Sequence, residues 1–301
     1  MPIHYTPYHH IDKAKWDACI DAAANGLIYG GSIYLDTMSK NWDALILNDY
    51  EAVMPLTFKR KYGIYYLYQP FFTACLGVFG NNISASILED FLAAIPAKFK
   101  YWDIYLNHGN YFQLKNFELY QRTNYVLDLN KPYEVIYAAY GDNIKRNIKK
   151  CLQLKCITKK NVGIDEVISL AQEQSKTFSP VTQEDFKNFK KLCQQLSAKQ
   201  QAITYGIYTS ADQLVASCAL FLSHNRLYYI LVGNHPNGRT IGASHALIDA
   251  FIKDYAGKNL ILDFEGSDIR NLAFFYSSFG ATEEKYAGIK LNRLPKLLQL
   301  V

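Results

Sequence analysis

Apolar positions change period several times between residues 132 and 292, and each change predicts an element. PYEVIYAAY (132–140) and Ile144–Leu152 repeat at helical spacing, the first opened by Pro132. LKCIT (154–158) reads as a strand, and IDEVISLAQEQSKTF (164–178) and EDFKNFKKLCQQLSA (184–198) read as helices. Three β-rich runs follow, AITYGIYTS (202–210), LVASCALFLS (214–223) and RLYYILVG (226–233), separated by the turn-like SADQ and SHN. NHPNGRTIGA (234–243) reads as a Gly-bearing loop and SHALIDAFIKDYA (244–256) as a helix. NLILDF (259–264) is a short strand, DIRNLAFFYSSFG (268–280) a helix ended by Gly280, and EEKYAGIKLN (283–292) a last strand. The order β-α-α-β-β-β-loop-α-β-α-β is an α+β mixture, not a doubly wound sheet.

The first half repeats part of this order. DALILND (43–49) and EAVMPLTFKRKYGIYYLYQP (51–70) read as strands and FFTACLGVFGNN (71–82) as a turn-rich loop. ISASILEDFLAAIPAKF (83–99) reads as a helix and YWDIYLN (101–107) as a strand. SILEDFLAAI…WDIYLNHG and HALIDAFIKDY…LILDFEGS are each an amphipathic helix feeding a strand that ends in polar residues and Gly. Two similar units in tandem is the economical reading. The break falls at Leu129-Asn130-Lys131-Pro132, giving domains 1–130 and 131–301.

Composition narrows the class. Half of the 301 residues are apolar or aromatic and a fifth are charged, enough to bury a core without staples. The six Cys form no CxxC pair and the His are scattered, so neither a disulfide framework nor a metal site is expected. MPIHYTPYHH is not a charged-then-apolar leader and no apolar run is long enough to span a bilayer, so a soluble, cytoplasmic protein without membrane insertion is expected. Residues 1–130 hold 10 Lys/Arg and 12 Asp/Glu, whereas 131–301 hold 22 and 15. The second half, at +7, points to an anionic partner.

That charge is concentrated in GDNIKRNIKKCLQLKCITKK (141–160), with seven Lys or Arg and one acid. Ile144, Ile148 and Leu152 form an apolar stripe, flanked by Lys145, Arg146, Lys149 and Lys150. The run is either a solvated face or the rim of a cleft for a phosphate-bearing ligand. In GNHPNGRTIGASHAL (233–247), Gly238 and Gly242 lie between a strand ending at Val232-Gly233 and a helix starting near Ile241. Unpaired N–H groups at a helix N-terminus favour phosphate, and Arg239 adds a permanent cation; an ordinary strand-to-helix turn reads the same way.

The element order and this loop resemble the GNAT (Gcn5-related N-acetyltransferase) superfamily, whose Arg/Gln-x-x-Gly-x-Gly/Ala loop holds the coenzyme A pyrophosphate. Arg239-Thr240-Ile241-Gly242-Ala243-Ser244 fits it, with Ser244 at the last place. NLAFFYSSFGA is similar to the family's Asn…Tyr-x-x-x-Gly-Phe segment, with Asn271, Tyr276 and Gly280 corresponding and Ala281 where Phe is usual. IKRNIKKCLQLKCIT, LDFEGS and the tandem order are similar to the Fem-type peptidyltransferases, which are two tandem GNAT-like domains adding amino acids to peptidoglycan precursors. The resemblance implies two mixed, mostly antiparallel sheets flanked by helices. It implies an acyl-CoA-dependent N-acyltransferase acting by direct attack of an amine, without a metal. It places the donor against Val232, Gly233, Gly238–Ser244 and Asn271, and makes Tyr276 the group that protonates the leaving thiolate.

Asp263 and Glu265 alternate at a strand end, so both are expected on one face as proton acceptors; a solvated strand end, or a helix cap, is the other reading of these carboxylates. Asp268 reads as the cap of the following helix. By pseudo-symmetry Tyr68 and Gln69, in the aromatic stretch GIYYLYQPFFTACLG, take the donor's place in a first domain that has lost the Arg-x-x-Gly loop; they read as a wall of the acceptor cleft or as core. The acceptor is expected to be a small-molecule or peptide amine, phosphate-bearing if Lys145, Arg146, Lys149 and Lys150 line its cleft. Two alternatives stand beside this reading. One is transfer from aminoacyl-tRNA to a cell-wall precursor, and the other is a non-catalytic binding module of the same fold.

Overall fold

A computed structural model describes residues 2–175, 180–266 and 268–294. The chain forms two compact units, residues 1–123 with 285–301, and 124–284. The chain therefore changes unit inside a strand, at Thr123/Asn124, ahead of the break read at Leu129–Pro132, and changes back at Glu284/Lys285.

The first unit opens with β1 (Ile3–Thr6), α1 (Lys13–Ala22) and α2 (Ser32–Met38). Asp12 caps α1 by accepting from the Ala14 and Lys15 amides at 3.0 and 3.2 Å. β2 (Trp42–Leu47), β3 (Ala52–Lys61), β4 (Ile64–Tyr68) and the two-residue β5 (Phe79–Gly80) follow, then α3 (Ala85–Ala94) and β6 (Phe99–Leu106). β7 (Tyr120–Asp128) leads out of the unit and β13 (Thr282–Asn292) leads back into it. In this unit neighbouring strands run β1-β2-β3-β4-β6-β13, with β5 on β3. Only β4 and β6 pair in parallel, joined across α3; the other pairs are antiparallel. Trp102, Ile104 and Leu106 of β6 pack with Leu88, Phe91 and Leu92 of α3 in the core.

The second unit holds α4 (Tyr133–Ala138), α5 (Asp142–Gln153), β8 (Ile157–Lys160), α6 (Ile164–Ser175) and α7 (Gln183–Ala198). Thr182 and Asp185 close a reciprocal capping box at the start of α7. β9 (Ala202–Tyr208), β10 (Leu214–Ser223) and β11 (Arg226–Asn234) form an antiparallel meander. α8 (Pro236–Ile241), α9 (Ala243–Tyr255), β12 (Ile261–Asp263) and α10 (Arg270–Ser277) complete the unit. Its strands run β7-β12-β11-β10-β9-β8, with only β11 and β12 parallel, joined across α8 and α9. Each unit thus contains one parallel pair bridged by helix within an otherwise antiparallel sheet, as the tandem reading expected. The helix read to Phe178 has its last three residues outside the described residues. Among the described residues no helix is long and apolar enough to cross a membrane.

Candidate active site

α5 buries Ile144, Ile148 and Cys151, whereas Leu152 is 65% exposed. The stripe expected to end on Leu152 ends on Cys151. At 3.6 residues per turn, Cys151 falls about 20° short of Ile144's direction and Leu152 overshoots it by about 80°. With that face buried, Arg146 and Lys149 are exposed. Lys145 Nζ donates to the Ala138 carbonyl at 3.0 Å and Lys150 Nζ to the Thr240 carbonyl at 2.7 Å.

The segment expected as a Gly-bearing loop is the helix α8. His235 Nδ1 accepts from the Asn237 amide at 3.1 Å, Pro236 takes the first position, and Gly242 at φ +78° ends the helix. Gly242 is also the residue from which α9 starts. A Cβ on Gly242 would lie 2.5 Å from the Asn147 carbonyl oxygen of α5. At Gly238 it would strike the Val215 carbonyl of β10, and at Gly233 it would lie 2.7 Å from the Ala171 amide of α6. These glycines therefore admit the protein's own backbone, and their bare Cα atoms open no cradle. Ala243 is buried, Val232 and Ile241 pack on the core, and Ser244 Oγ donates to Asn234 Oδ1 at 2.5 Å. What remains for an anion is the first turn of α9, with Lys150 held beside it by Thr240 and with Arg239 exposed on α8. Among the described residues neither Arg239, Arg146 nor Lys149 has an ion-pair partner.

β12 stops at Asp263, and Glu265 sits at φ +66°. The period-two argument that put Asp263 and Glu265 on one face therefore does not reach Glu265. Asp263 is buried: Oδ2 accepts from Arg226 Nη1 at 2.8 Å, and Oδ1 from Asn124 Nδ2 at 2.8 Å and the Glu265 amide at 2.9 Å. Arg226 also grips Glu284, with Nη1–Oε2 3.0 Å and Nη2–Oε1 2.5 Å. Asp263 is thus the centre of a structural network, with its lone pairs directed at internal donors. Glu265 differs: it keeps some exposure, yet the protein around it raises its carboxyl well above the usual carboxylate range. Tyr276, buried and stacked 4.4 Å from Phe264, is raised by burial and then by the charge of Glu265, so it stays a protonated phenol. Asn271 is exposed on the first turn of α10. The helix starts at Arg270 with Ile269 in the N-cap place, so Asp268, expected there, stands one residue ahead of it.

Residues 140–268 match the family model described as an acetyltransferase (GNAT) domain. The chain carries a GNAT acetyltransferase domain. The matched stretch runs from the end of α4 through β12, so it includes α5, α8, Gly242 and Glu265 and stops short of Tyr276. No curated protein matches the chain. FemX shares the fold with a TM-score of 0.65 at 12% identity, covering 100% of both chains. A conserved protein of unknown function from Bacteroides thetaiotaomicron gives 0.61 at 12%, covering 97% of this chain and 100% of its own. L-PGS from Bacillus licheniformis gives 0.56 at 12%, covering 100% of this chain and 96% of its own. At these identities the likeness is one of fold.

One partly buried titratable residue of the matched stretch, His245, had no signal in the sequence. His245, in the first turn of α9, lies edge-on to Phe275 at 5.1 Å and tilted to Phe279 at 6.4 Å. Its Nδ1 is buried without a partner, and burial lowers the imidazole to about 4. Phe275 in turn lies 5.8 Å from Tyr276. A lone His in the first turn of a helix gives no pattern by which to find it. Tyr68 and Gln69 lie outside the GNAT domain, in the first unit. Gln69 pins backbone there, donating to the Thr73 carbonyl at 2.8 Å and accepting from the Tyr105 amide at 3.0 Å, while Lys59 lies 4.2 Å over the Tyr68 ring.

Proposed function

We propose that the second unit is an N-acyltransferase that moves an acyl group from acyl-CoA to an amine by direct attack. The observation that carries this reading is the pairing, in the unit that carries the GNAT match, of a protonated phenol with a carboxyl of raised affinity for protons. The residues present suit the phosphates of the donor: Arg239, Arg146 and Lys149 are exposed cations, and Lys150 is held at Thr240. Gly238 and Gly242 do not supply the cradle, being closed by Val215 and Asn147. When bound, acyl-CoA supplies an activated thioester carbonyl. Glu265, whose burial raises its affinity for protons, takes the proton from the attacking amine in its ionised form. Tyr276 gives its proton to the departing sulfur. Asp263 holds Arg226, Asn124 and the Glu265 amide, and through that amide fixes where the base stands.

A second reading, transfer from aminoacyl-tRNA to a cell-wall precursor, is favoured by the closed glycines together with the whole-length fold likeness to FemX. Thermal unfolding with coenzyme A, acetyl-CoA and aminoacyl-tRNA separates the readings, because a ligand of the native state raises Tm by mass action. A rise with the CoA compounds that Arg239→Ala abolishes supports the first. A rise with aminoacyl-tRNA alone replaces it with the second. No rise with any of them, and no thioester turnover, leaves a binding module.

A further inference from the structure

In the first unit, the end of β3 with β4, β6 and β13 presents tyrosines and cations on the sheet face opposite α3. Register places Lys59 beside Tyr66, Tyr66 beside Tyr101, and Tyr68 beside Asp103. Across β6 and β13, Tyr101 meets Asn292, Asp103 meets Lys290, and Tyr105 meets Gly288. Side chains alternate across a strand, so this set shares one face while Trp102, Ile104 and Leu106 enter the core with α3. Lys290 Nζ stands 5.9 Å from the Tyr101 ring centre. The Arg122 guanidinium lies 4.0 Å over Tyr105 and its Nε donates to Tyr286 Oη at 3.0 Å. Tyr66, Tyr68, Tyr101 and Tyr105 all keep partial exposure, and Tyr120 is 39% exposed.

Charge on this face is one-sided. Residues 52–88 contain Lys59, Arg60 and Lys61 and no acid, and residues 285–301 contain no acid either, which leaves Asp103 as the carboxylate within the set. An acidic peptide would answer the cations and leave the rings unused. A neutral glycan would answer the rings and leave the cations unused. A nucleic-acid duplex hides its ring faces. An unpaired strand presents both phosphates and free base faces.

We propose that this face of the first unit docks a single-stranded nucleic-acid segment. Bases stack on Tyr66, Tyr101 and the outer plane of the Arg122 guanidinium, and Lys59, Lys61 and Lys290 meet the phosphates. None of its residues is among those given to acyl transfer, so either reading can fail without the other.

The test is fluorescence anisotropy of the full chain with a labelled uridine 12-mer (about three OB-type stacking lengths). Saturable binding is expected, weakening by about tenfold over a fourfold rise in salt, as contacts to a few phosphates require. Tyr66→Leu and Tyr101→Leu, which keep every charge, each weaken it by roughly tenfold. The double variant Lys59→Glu/Lys290→Glu, confined to side chains that reach solvent, does the same and keeps the test decisive if a Tyr variant fails to fold. Absence of binding at low salt overturns the proposal. So does equal affinity for the matching duplex, or binding that survives Lys59→Glu/Lys290→Glu and is lost in Arg146→Glu/Lys149→Glu.

Discussion

Arg226 Nη1 stands 2.8 Å from Asp263 Oδ2, and both side chains are buried. The guanidinium lies between Asp263 and Glu284, and Asn124 completes the Asp263 shell. Removing one partner of such a group leaves an uncompensated buried charge. Arg226→Met is therefore expected to cost about 3–5 kcal/mol in urea unfolding, and Arg226→Met/Asp263→Asn distinctly less than the sum of its single changes. Additive losses would mean that the pair does not act as a unit.

Gly242 and Gly257 share a left-handed backbone, at φ +78° and +77°, in unlike surroundings. A Cβ at 257 meets nothing within 4 Å, whereas at 242 it meets the Asn147 carbonyl. Gly257→Ala should cost about 1 kcal/mol, the conformational term alone. Gly242→Ala should exceed that by about 2 kcal/mol or more, because backbone must shift. Equal losses in Tm would show that α5 does not press on the start of α9.

Glu265 and His245 should tilt the pH profile of stability in opposite directions. Glu265 holds its proton in the folded state at pH values where the unfolded chain has lost it, so its contribution falls as pH rises from about 4 through its raised folded value. Glu265→Gln should then raise Tm at pH 7 and change little at pH 3. His245 moves from an ordinary 6.5 down to about 4, so its contribution is full above 6.5 and lost as pH falls to about 4. His245→Leu should flatten that acid limb; an unchanged limb would mean that the imidazole is solvated.

Kinetics should divide the two ends of the second unit. Arg146→Glu/Lys149→Glu is expected to raise KM for the acyl donor about tenfold with kcat nearly unchanged, since these cations bind and do not react. Tyr276→Phe is expected to lower kcat by about 10²-fold with little change in KM, as for loss of a positioned acid. Equal kcat in Tyr276→Phe would return that phenol to the core, where Phe264 already stacks on it.

The sequence by itself determined the element types from residue 132 onward outside 234–243, because the switch between periods of 2 and 3.6 follows directly from which faces need burial. It also determined the repeated helix-then-strand unit and the concentration of cation in α5. It did not reveal that Leu152 yields its place to Cys151, a matter of angle within one helix turn, nor that residues 234–241 wind into α8. Only the tertiary structure decided what each glycine was for: a bare Cα invites any close neighbour, and at Gly233, Gly238 and Gly242 the neighbours are Ala171, Val215 and Asn147. It likewise separated two carboxylates that look alike two residues apart. Arg226, far away in sequence, meets Asp263, while a left-handed backbone carries Glu265 off the strand into surroundings that raise its affinity for a proton. Sequence spacing sets which residues can share a face, and long-range contacts set which of them is bound into a network.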